Sequence, residues 1–437
     1  MMSLAKRIQD KTCRVGVIGL GYVGLPLAVE LAKAGFPVVG FDVDAHKVAE
    51  LNAGRSYIPD VPTADLAVVV KNGRFRATTD MAGLADVDAI DIAVPTPLRK
   101  TKDPDMSYVV QAAEAVKAHL KKGQLVCLES TTYPGTTDEL VKPMLEETGL
   151  QAGRDFYLVF SPERVDPANP QYLTKDIPKV VGGIDKASTD LACALYGQVV
   201  TQTVPVSSTV VAEMAKLLEN TFRSVNIGMV NELALMCHRM GIDVWEVIDA
   251  AKTKPFGFMP FYPGPGLGGH CIPIDPFYLS WKAKQSGFEA RFIELAGQVN
   301  ASMPEYVVSR VADALNSVKK AVNGSRIHLY GVAYKKNVGD MRESPALDVI
   351  EHLTKRGATV TYSDPHVPTF RLESHGEVHG HMQAIPEAAA LASKPDCVVI
   401  TTDHDTFNYD ALVATASLIM DSRNALKKYQ GAHIHRL

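Results

Sequence analysis

Short runs of β-branched and other apolar residues recur through the N-terminal part of the chain. Between the first two runs, residues 25–34 have the apolar spacing of a helix. Strands that alternate with helices are typical of an α/β domain built on a parallel sheet. The predicted strands span residues 14–18, 37–41, 89–94, 125–129 and 157–160.

The apolar spacing changes near Ser208. Either Ser208 or Thr209 can cap a long helix, and a second helical stretch covers residues 244–251, so residues 206–254 are predicted to be all-helical. The long helix has its apolar residues three or four positions apart: Val210, Met214, Leu217, Leu218, Phe222 and Val225.

The last third of the chain returns to strands and helices. Strands are predicted at residues 326–332, 359–362, 397–401 and 418–420, with a helix at 345–355, whereas residues 365–395 show little pattern. This second α/β unit lacks a GxGxxG motif, so a mononucleotide suits it better than a second whole dinucleotide.

Composition narrows the class of protein without naming a partner. The chain has 437 residues, of which 46% are hydrophobic and 22% charged, which is ordinary for two or three soluble domains. A net charge of -4 gives no sign of nucleic acid or an anionic membrane as partner. No apolar run approaches about 20 residues and the first residues lack a signal-peptide core, so we expect a cytoplasmic protein without a membrane span.

Six cysteines are present, and none forms a CxxC pair. We therefore expect reduced thiols rather than a disulfide framework, and no metal site is predicted. Five cysteines fall in or beside predicted strands and helices and are interpreted as structural: Cys13, Cys127, Cys193, Cys237 and Cys397. The sixth, Cys271, falls in a loop.

The sequence GLGYVG, residues 19–24, follows the first predicted strand and opens the first predicted helix. In this context Gly19 allows a tight turn, Gly21 lets the backbone approach a pyrophosphate, and Gly24 allows close helix packing. Asp42 ends the second strand, where a carboxylate accepts hydrogen bonds from a ribose and repels a 2'-phosphate. The motif predicts a dinucleotide site that prefers NAD to NADP.

Three further strands end in small or catalytic polar residues. In a parallel sheet these ends line the ligand crevice, so Thr96, Ser130 and Thr131 are candidate ligand contacts, although turn and helix-capping roles explain them equally well. Glu163 is a candidate general base. The alternative for Glu163 is a surface ion pair with Arg164 or another basic residue.

The segment 263–276, PGPGLGGHCIPIDP, crowds four glycines around Cys271. Cys271 lies just before a predicted helix at residues 276–285, whose unpaired amides favour a thiolate, so it is a candidate nucleophile. The alternative for Cys271 is that of a small apolar residue in a tight turn.

Lys216 and Asn220 are four residues apart and therefore lie on one face of the long helix, where a cation and an amide could together bind an oxyanion.

Seven motifs occur in the order and spacing of one known family. The chain resembles the UDP-glucose/GDP-mannose dehydrogenase family from about residue 14 to 423. The motifs are GLGYVGLP, VPTP, ESTTYPGTT, SPER, EMAKLLEN, GPGLGGHCIPIDP and AYKKNVGDMRESPA. Within the family, GGHCIPIDP is similar to the branch that oxidises UDP-N-acetylhexosamines. The family's UDP-glucose enzymes usually have lysine before the aspartate, where this chain has Ile274.

The resemblance implies roles for individual residues. Cys271 is the expected nucleophile, Lys216 and Asn220 stabilise an oxyanion, Asp275 positions water, and Glu163 is the base in thioester hydrolysis. Thr131 is expected to be catalytic and to contact the cofactor. The further expected cofactor contacts are Gly19, Gly21, Tyr22, Val23, Gly24, Asp42, Lys47, Pro95, Thr96, Ser130 and Arg342. The further expected substrate contacts are Arg164, Gly264, Gly266, Gly268, Tyr334, Lys335 and Arg423.

Three domains are expected from these assignments. Residues 1–205 form an NAD-binding Rossmann-like domain, 206–322 a central helical domain with the cysteine loop, and 323–437 a Rossmann-like α/β domain for the UDP-sugar. The expected reaction is NAD-dependent, two-step oxidation of the C6 hydroxyl of UDP-N-acetylglucosamine, for use in polysaccharide such as O-antigen. A homo-oligomer through the long helix is expected by analogy.

Alternatives remain at the level of substrate and of reaction. UDP-N-acetylgalactosamine, UDP-N-acetylmannosamine and UDP-glucose are alternative substrates. A single-step β-hydroxyacid dehydrogenase also joins a dinucleotide domain to helices, but needs neither the Cys271 loop nor a third domain. A non-catalytic NAD sensor has no reason to combine Cys271 with Lys216 and Glu163.

Overall fold

A computed structural model describes residues 2–99, 103–165, 172, 174–374 and 377–437. Within these residues, the N-terminal part is built on an eight-stranded sheet of order β3-β2-β1-β4-β5-β6-β7-β8. Its strands are β1 Val15–Ile18, β2 Val38–Phe41, β3 Phe75–Thr78, β4 Ala89–Ile92, β5 Leu125–Leu128, β6 Tyr157–Phe160, β7 Lys179–Gly183 and β8 Thr203–Val206.

Strands β1 to β6 all run in the same direction. Strand β7 is antiparallel to β6, and β8 is parallel to β7. The first six strands have the order and direction of a Rossmann-type sheet, as predicted. The helices that accompany the sheet are α1 Leu4–Gln9, α2 Gly24–Lys33, α3 Ala45–Asn52, α4 Thr63–Lys71, α5 Ser107–His119, α6 Lys142–Glu146 and α7 Lys186–Tyr196.

Both faces of this sheet are buried by helices. Val15 and Val17 pack in one core with residues of α1, α2, α4 and α7. Ile90 and Ile92 pack on the opposite side with residues of α5 and α6. Side chains alternate between the two faces of a strand, so a strand that is buried on both faces is a continuous apolar run in the sequence. This is why these strands could be predicted.

Four helices follow the first sheet: α8 Thr209–Met240, α9 Val244–Ala251, α10 Asp275–Gln285 and α11 Arg291–Ser317. Helix α8 has 32 residues, and the Ser208 hydroxyl accepts a hydrogen bond from the Val211 amide at 3.3 Å. The predicted start of the long helix and the prediction of α9 are both confirmed. Among the described residues, neither these helices nor any other combines the length and apolarity that a bilayer crossing requires.

The C-terminal part contains a five-stranded parallel sheet of order β10-β9-β13-β14-β15 and a two-stranded antiparallel hairpin, β11–β12. Its strands are β9 Arg326–Tyr330, β10 Thr359–Ser363, β11 Thr369–Ser374, β12 Glu377–Gln383, β13 Cys397–Ile400, β14 Ile419–Asp421 and β15 Ile434–Arg436. Its helices are α12 Pro345–Lys355, α13 Glu387–Ala392 and α14 Tyr409–Thr415.

The hairpin β11–β12 and helix α13 lie in the segment where the sequence showed little pattern. Among the described residues, the two strands of the hairpin pair with each other and with no other strand, and their register shifts at Leu372/Glu373. An isolated hairpin needs no continuous apolar run, so its sequence gives a weak strand signal.

The chain forms two compact units. The first comprises Met1–Glu219 with Phe277–Phe288, and the second Asn220–Pro276 with Glu289–Leu437. The predicted boundaries of the three domains, at residues 205/206 and 322/323, remain predictions.

His328 is an ionisable side chain in the core of the second unit. Its Nδ1 lies 2.8 Å from Thr361 Oγ1 and its Nε2 lies 2.9 Å from Ser363 Oγ, both on the neighbouring strand β10. Burial lowers the pKa of His328 to about 4, because the charged imidazolium is poorly solvated there. The folded protein therefore holds this histidine neutral.

We predict that His328 makes the second unit less stable in mild acid. Between its folded pKa and the unfolded value, the unfolded chain binds more protons, so stability falls as the pH drops through this range. The loss from pH 7.5 to pH 5 should be about 2 kcal/mol. Urea unfolding at both pH values, compared with His328→Gln, measures it; an equal pH dependence in the two proteins would contradict the prediction.

Candidate active site

Of the three glycines in residues 19–24, one has free space where a side chain would be. Gly19 has φ +90°, and a Cβ built on it would lie 2.4 Å from the Ala93 carbonyl oxygen. A Cβ on Gly24 would lie 1.9 Å from the Gly19 carbonyl oxygen. A Cβ on Gly21 would meet nothing within 4 Å. The first and third glycines are therefore required by the fold, and Gly21 faces space that a ligand can fill.

Asp42 lies directly after β2 and is held by the backbone around this loop. Its Oδ2 accepts from the Leu20 amide and its Oδ1 from the Asp44 amide, each at 3.0 Å. The Tyr57 hydroxyl donates to the Leu20 carbonyl at 2.6 Å, and Lys47 Nζ lies 5.8 Å from the centre of the Tyr57 ring. Open backbone at the start of a helix, beside a fixed carboxylate, fits the pyrophosphate and ribose of NAD.

The remaining candidate cofactor contacts differ in exposure. Tyr22 and Pro95 are exposed, Val23 and Thr131 are half-buried, and Thr96 is buried. Exposure on these loops is compatible with ligand contact for Tyr22 and Pro95.

Ser130 ties two strand-end loops together. Its hydroxyl donates to the Val94 carbonyl at 2.8 Å and accepts from the Val94 amide at 2.9 Å. Ser130 therefore has the structural role that the sequence left open.

Thr132 lies two residues further along the chain. It is buried, and its hydroxyl oxygen has no hydrogen-bond partner among the described residues. Sequence reasoning did not single out Thr132, because three small hydroxyl residues stand side by side there.

Glu163 and Arg164 do not pair with each other through their side chains. The Glu163 Oε1 accepts from the amides of Arg164 and Val165, at 2.7 and 2.9 Å. Arg164 turns to Glu219, with Nη2 2.5 Å from Oε1. The sequence allowed an ion pair of Glu163 with Arg164 or another basic residue. Arg164 is not the partner, because Glu219 on α8 pairs with its guanidinium. Among the described residues the partner is Lys179, whose Nζ lies 3.7 Å from Glu163 Oε2.

Lys216 and Asn220 are both buried on α8, at 7% and 6% exposure. The Asn220 side chain donates from Nδ2 to Asp275 Oδ2 at 2.5 Å. Two residues that the sequence assigned to one site are therefore in direct contact within the second unit. Lys216 belongs to the first unit, as do Glu163 and Arg164.

Cys271 is half-buried in the turn that leads into α10. Its carbonyl accepts from the Asp275 amide at 2.8 Å, which ties the cysteine to the first turn of the helix. Cys13 and Cys397 are fully buried, and burial raises the pKa of each to about 12. These two thiols are therefore poor nucleophiles at neutral pH, in agreement with their interpretation as structural cysteines.

The glycines around Cys271 allow close contact with the C-terminal sheet. A Cβ on Gly268 would lie 2.5 Å from Tyr334 Cβ, and one on Gly264 would lie 2.7 Å from Arg423 Nη1. The Gly269 amide donates to the Arg342 carbonyl at 2.9 Å.

Two more candidates belong to the same region. Gly266 has φ +139°, and a Cβ on it would lie 3.0 Å from Pro345 Cβ. Lys335 is half-buried beside Tyr334 in the chain. The second unit thus brings the cysteine loop together with two of the residues predicted to bind substrate, Tyr334 and Arg423.

A buried pair of amides fixes the start of the cysteine loop. The Gly264 amide donates to Asn231 Oδ1 at 3.0 Å, and Asn231 Nδ2 donates to Asn300 Oδ1 at 2.9 Å. Asn300 Nδ2 in turn donates to the Ser224 carbonyl at 3.1 Å. Sequence reasoning missed both asparagines, because nothing local distinguishes them from ordinary helical residues.

Three family models cover most of the chain. They are the NAD binding domain of the UDP-glucose/GDP-mannose dehydrogenase family at residues 13–200, its central domain at 210–302 and its UDP binding domain at 328–428. The chain belongs to the UDP-glucose/GDP-mannose dehydrogenase family. It is an NAD-dependent UDP-sugar dehydrogenase.

Relatives within the family are named for different sugars. The chain is 40% identical over 359 residues to the UDP-N-acetyl-D-glucosamine 6-dehydrogenase of Pseudomonas aeruginosa, covering 82% of this chain and 84% of the relative. It is 36% identical over 420 residues to an NDP-N-acetyl-D-galactosaminuronic acid dehydrogenase of Ralstonia nicotianae, covering 94% and 95%. The solved UDP-D-ManNAc dehydrogenase of Pyrococcus horikoshii superposes with a TM-score of 0.87 at 32% identity, covering 97% and 98%.

We predict that Gly21→Ala separates cofactor binding from folding in this dehydrogenase. The added methyl group meets no protein atom, so the melting temperature should stay within about 2 °C of the native value. It fills the space at the open backbone, so NAD affinity should fall at least about tenfold, or 1.4 kcal/mol. Calorimetric titration with NAD and a thermal melt measure both; Gly24→Ala, which meets backbone, should instead lower the melting temperature. Unchanged NAD affinity in Gly21→Ala would contradict the assignment.

Proposed function

We propose that this dehydrogenase oxidises the C6 hydroxyl of UDP-N-acetyl-D-glucosamine to a carboxylate in two successive steps at Cys271. The observation that carries the proposal is the half-buried Cys271 in a glycine-rich turn, in one unit with Tyr334, Arg423 and the Asn220–Asp275 pair. The relative from Pseudomonas aeruginosa that bears the same substrate in its name supports the choice of sugar.

The first unit holds the cofactor. Gly21 accommodates the pyrophosphate beside the start of α2, and Asp42 holds the adenosine ribose and disfavours a 2'-phosphate. Bound NAD supplies the hydride acceptor for each of the two oxidations. The strand-end residues Thr96 and Thr131 complete the contacts on the nicotinamide side.

Cys271 keeps the reaction on the protein between the two oxidations. Its thiolate adds to the C6 aldehyde and forms a C–S bond, giving a thiohemiacetal, and oxidation of this adduct gives a thioester. A free aldehyde would hydrate or diffuse away. The covalent bond therefore ensures that the second oxidation follows the first.

Asn220 and Lys216 stabilise the negative charge that develops on the C6 oxygen. An amide nitrogen carries two hydrogens, so the bond to Asp275 orients the Asn220 side chain while the second hydrogen can be donated to the oxyanion. Lys216 adds a positive charge from the same face of α8. Loss of one such donor typically lowers the rate by about 10²- to 10³-fold.

Hydrolysis of the thioester regenerates the cysteine. Asp275 orients a water molecule, and the Glu163 carboxylate accepts its proton while the water oxygen attacks the acyl carbon. The C–S bond breaks, the Cys271 thiolate leaves, and the uronate is released.

The sugar nucleotide is proposed to be bound by the residues that the family resemblance assigns to it. Tyr334, Lys335 and Arg423 bind the substrate, with Gly264, Gly266 and Gly268 allowing its close approach to the loop backbone. Arg342 is proposed to contact the cofactor and Arg164 the substrate. Ile274 is buried and uncharged next to Asp275, which favours an N-acetylhexosamine over UDP-glucose.

We also propose that the chain self-associates through α8. Among the exposed apolar side chains of this helix, four in its first half are three or four positions apart: Val211, Met214, Leu218 and Phe222, with exposures of 39% to 59%. A second copy that covers this stripe would remove apolar surface from water. Light scattering of Leu218→Glu, compared with the native chain, tests this; a native chain that is monomeric at micromolar concentration would contradict it.

The stoichiometry of the reaction tests the two-step mechanism. With limiting UDP-N-acetylglucosamine and excess NAD, we expect two NADH per sugar and no aldehyde captured by a carbonyl reagent, because Cys271 retains the intermediate. UDP-glucose should react more slowly, since polar partners of the acetamido group would be left unpaired. Absorbance at the NADH band and chromatography of the sugar nucleotide measure both quantities.

Cys271→Ala is the control, because it removes the thiol and leaves the dinucleotide loop unchanged. It should bind NAD normally and form no uronate. One NADH per sugar from the native enzyme would indicate the single-step β-hydroxyacid alternative, and a faster reaction with UDP-glucose or another N-acetylhexosamine epimer would overturn the choice of substrate.

A further inference from the structure

A group of ionisable side chains lies inside the first unit, behind the strand ends that carry Glu163. Asp91, Glu129, Lys179 and Tyr196 are all at least 95% buried. Charged groups are seldom buried unless they compensate each other, and such groups beside an active site are often part of its machinery. We call these four residues the buried cluster.

The strand pattern explains how the buried cluster assembles. Asp91 on β4 has the same side-chain parity as Ala89, and Glu129, just after β5, the same parity as Cys127, so both point to the sheet face covered by α7. Because β7 runs antiparallel to β6, its first residue, Lys179, lies at the edge where β6 ends. This reversal places a lysine next to the residues that follow the parallel strands.

Lys179 makes contact with two carboxylates at once. Its Nζ lies 2.8 Å from Glu129 Oε1 and 3.7 Å from Glu163 Oε2. Nζ also lies 4.9 Å from the centre of the Tyr196 ring, whose hydroxyl donates to Asp91 Oδ1. The lysine is thus enclosed by negative and aromatic groups.

The buried cluster and Glu163 contain three carboxylates for one ammonium group. Burial raises the pKa of Glu129 to about 8, although Lys179 opposes the shift, and burial raises the pKa of Asp91 to about 6, although Tyr196 opposes it. Burial alone would lower the pKa of Lys179, but the charges of Glu129 and Glu163 raise it above its usual value. The lysine therefore stays charged beside these carboxylates.

Other charged groups near Glu163 are already engaged elsewhere. Arg164 pairs with Glu219, and Glu30, which lines the same pocket as Glu163, accepts a hydrogen bond from Lys33. The thiol of Cys127, on the same sheet face as Glu129, has a pKa that burial raises well above its usual value, so it is neutral. Among the described residues, Lys179 is the positive side chain within ion-pair distance of Glu163.

We propose that Lys179 is a positioning residue for thioester hydrolysis: its buried ammonium group orients the Glu163 carboxylate, and Glu129 holds the lysine in place. The proposal rests on the proposed role of Glu163 as the base. The two oxygens of Glu163 are then fixed separately, Oε1 by the amides of Arg164 and Val165 and Oε2 by the lysine.

The experiment compares two variants that differ only in the lysine charge. Lys179→Met alone would leave Glu129 buried without a cation, which can prevent folding, so the lysine is removed in a Glu129→Gln background. Glu129→Gln is the reference protein. In both, the rate at which the acyl adduct on Cys271 is hydrolysed is followed by mass spectrometry in single turnovers from pH 5 to pH 9.

We expect the acid limb, the pH at which hydrolysis falls to half on acidification, to move up by about one pH unit when the lysine is lost. An opposite charge within about 4 to 6 Å stabilises the ionised form of a carboxylate, so loss of the lysine charge should move the acid limb to higher pH. Glu129→Gln alone retains the cation, so its acid limb should lie at or below the native pH. NAD affinity should be the same in both proteins, which a general loss of structure would not allow.

A second lysine–glutamate pair in the same unit provides the matched control. Lys282 Nζ lies 2.6 Å from Glu139 Oε2, and neither residue belongs to the proposed machinery. Lys282→Met with Glu139→Gln should leave the acid limb at its native pH. Coinciding acid limbs in Glu129→Gln and in Glu129→Gln/Lys179→Met would overturn the role of Lys179.

Glu163→Gln distinguishes failure of this inference from failure of the proposed mechanism. If Glu163 is the base, the variant accumulates the acyl adduct and loses the acid limb. A native rate and a native acid limb in Glu163→Gln would remove Glu163 as the base, and the role of Lys179 with it. Loss of the limb in Glu163→Gln, with no difference between the two Lys179 test proteins, would overturn the role of Lys179 alone.

Discussion

The common direction of the first six strands is the constraint on which the first unit depends. Parallel strands end at the same edge, so Asp42 after β2, Ser130 after β5 and Glu163 after β6 all lie at one edge of the sheet although they come from distant parts of the chain. The reversal at β7 adds Lys179 to that edge from the opposite direction. Cofactor contacts and the proposed base therefore follow from one sheet topology rather than from separate local adaptations.

The same sheet also requires charged side chains to be buried close to the candidate site. Helices cover both faces, so the charged side chains buried beneath them must be balanced by their neighbours. Glu129 and Lys179 balance each other, and Tyr196 donates to Asp91. Apolar residues in these places would pack at least as well, which suggests that the charges are retained for activity rather than for stability.

Much of the fold and part of the site could be predicted from the sequence. The roles of Gly19, Gly21 and Gly24 depend on a turn only a few residues long, and Cys271 is conspicuous among glycines. By contrast, Lys179 and Asn231 gain their importance from partners that are distant in the sequence. Such partnerships arise from strand order and helix packing, which no local pattern encodes, and the weakly alternating hairpin β11–β12 was missed for lack of an apolar run.

The amide pair of Asn231 and Asn300 ties the cysteine loop to two helices through side chains that must face each other. One residue inserted into α8 between Asn220 and Asn231 would rotate the rest of the helix by about 100°, so only one of these two asparagines could keep its direction. Insertions and deletions should therefore be excluded from this part of α8 during evolution. The length of a helix, as much as the identity of its residues, is part of what specifies the loop.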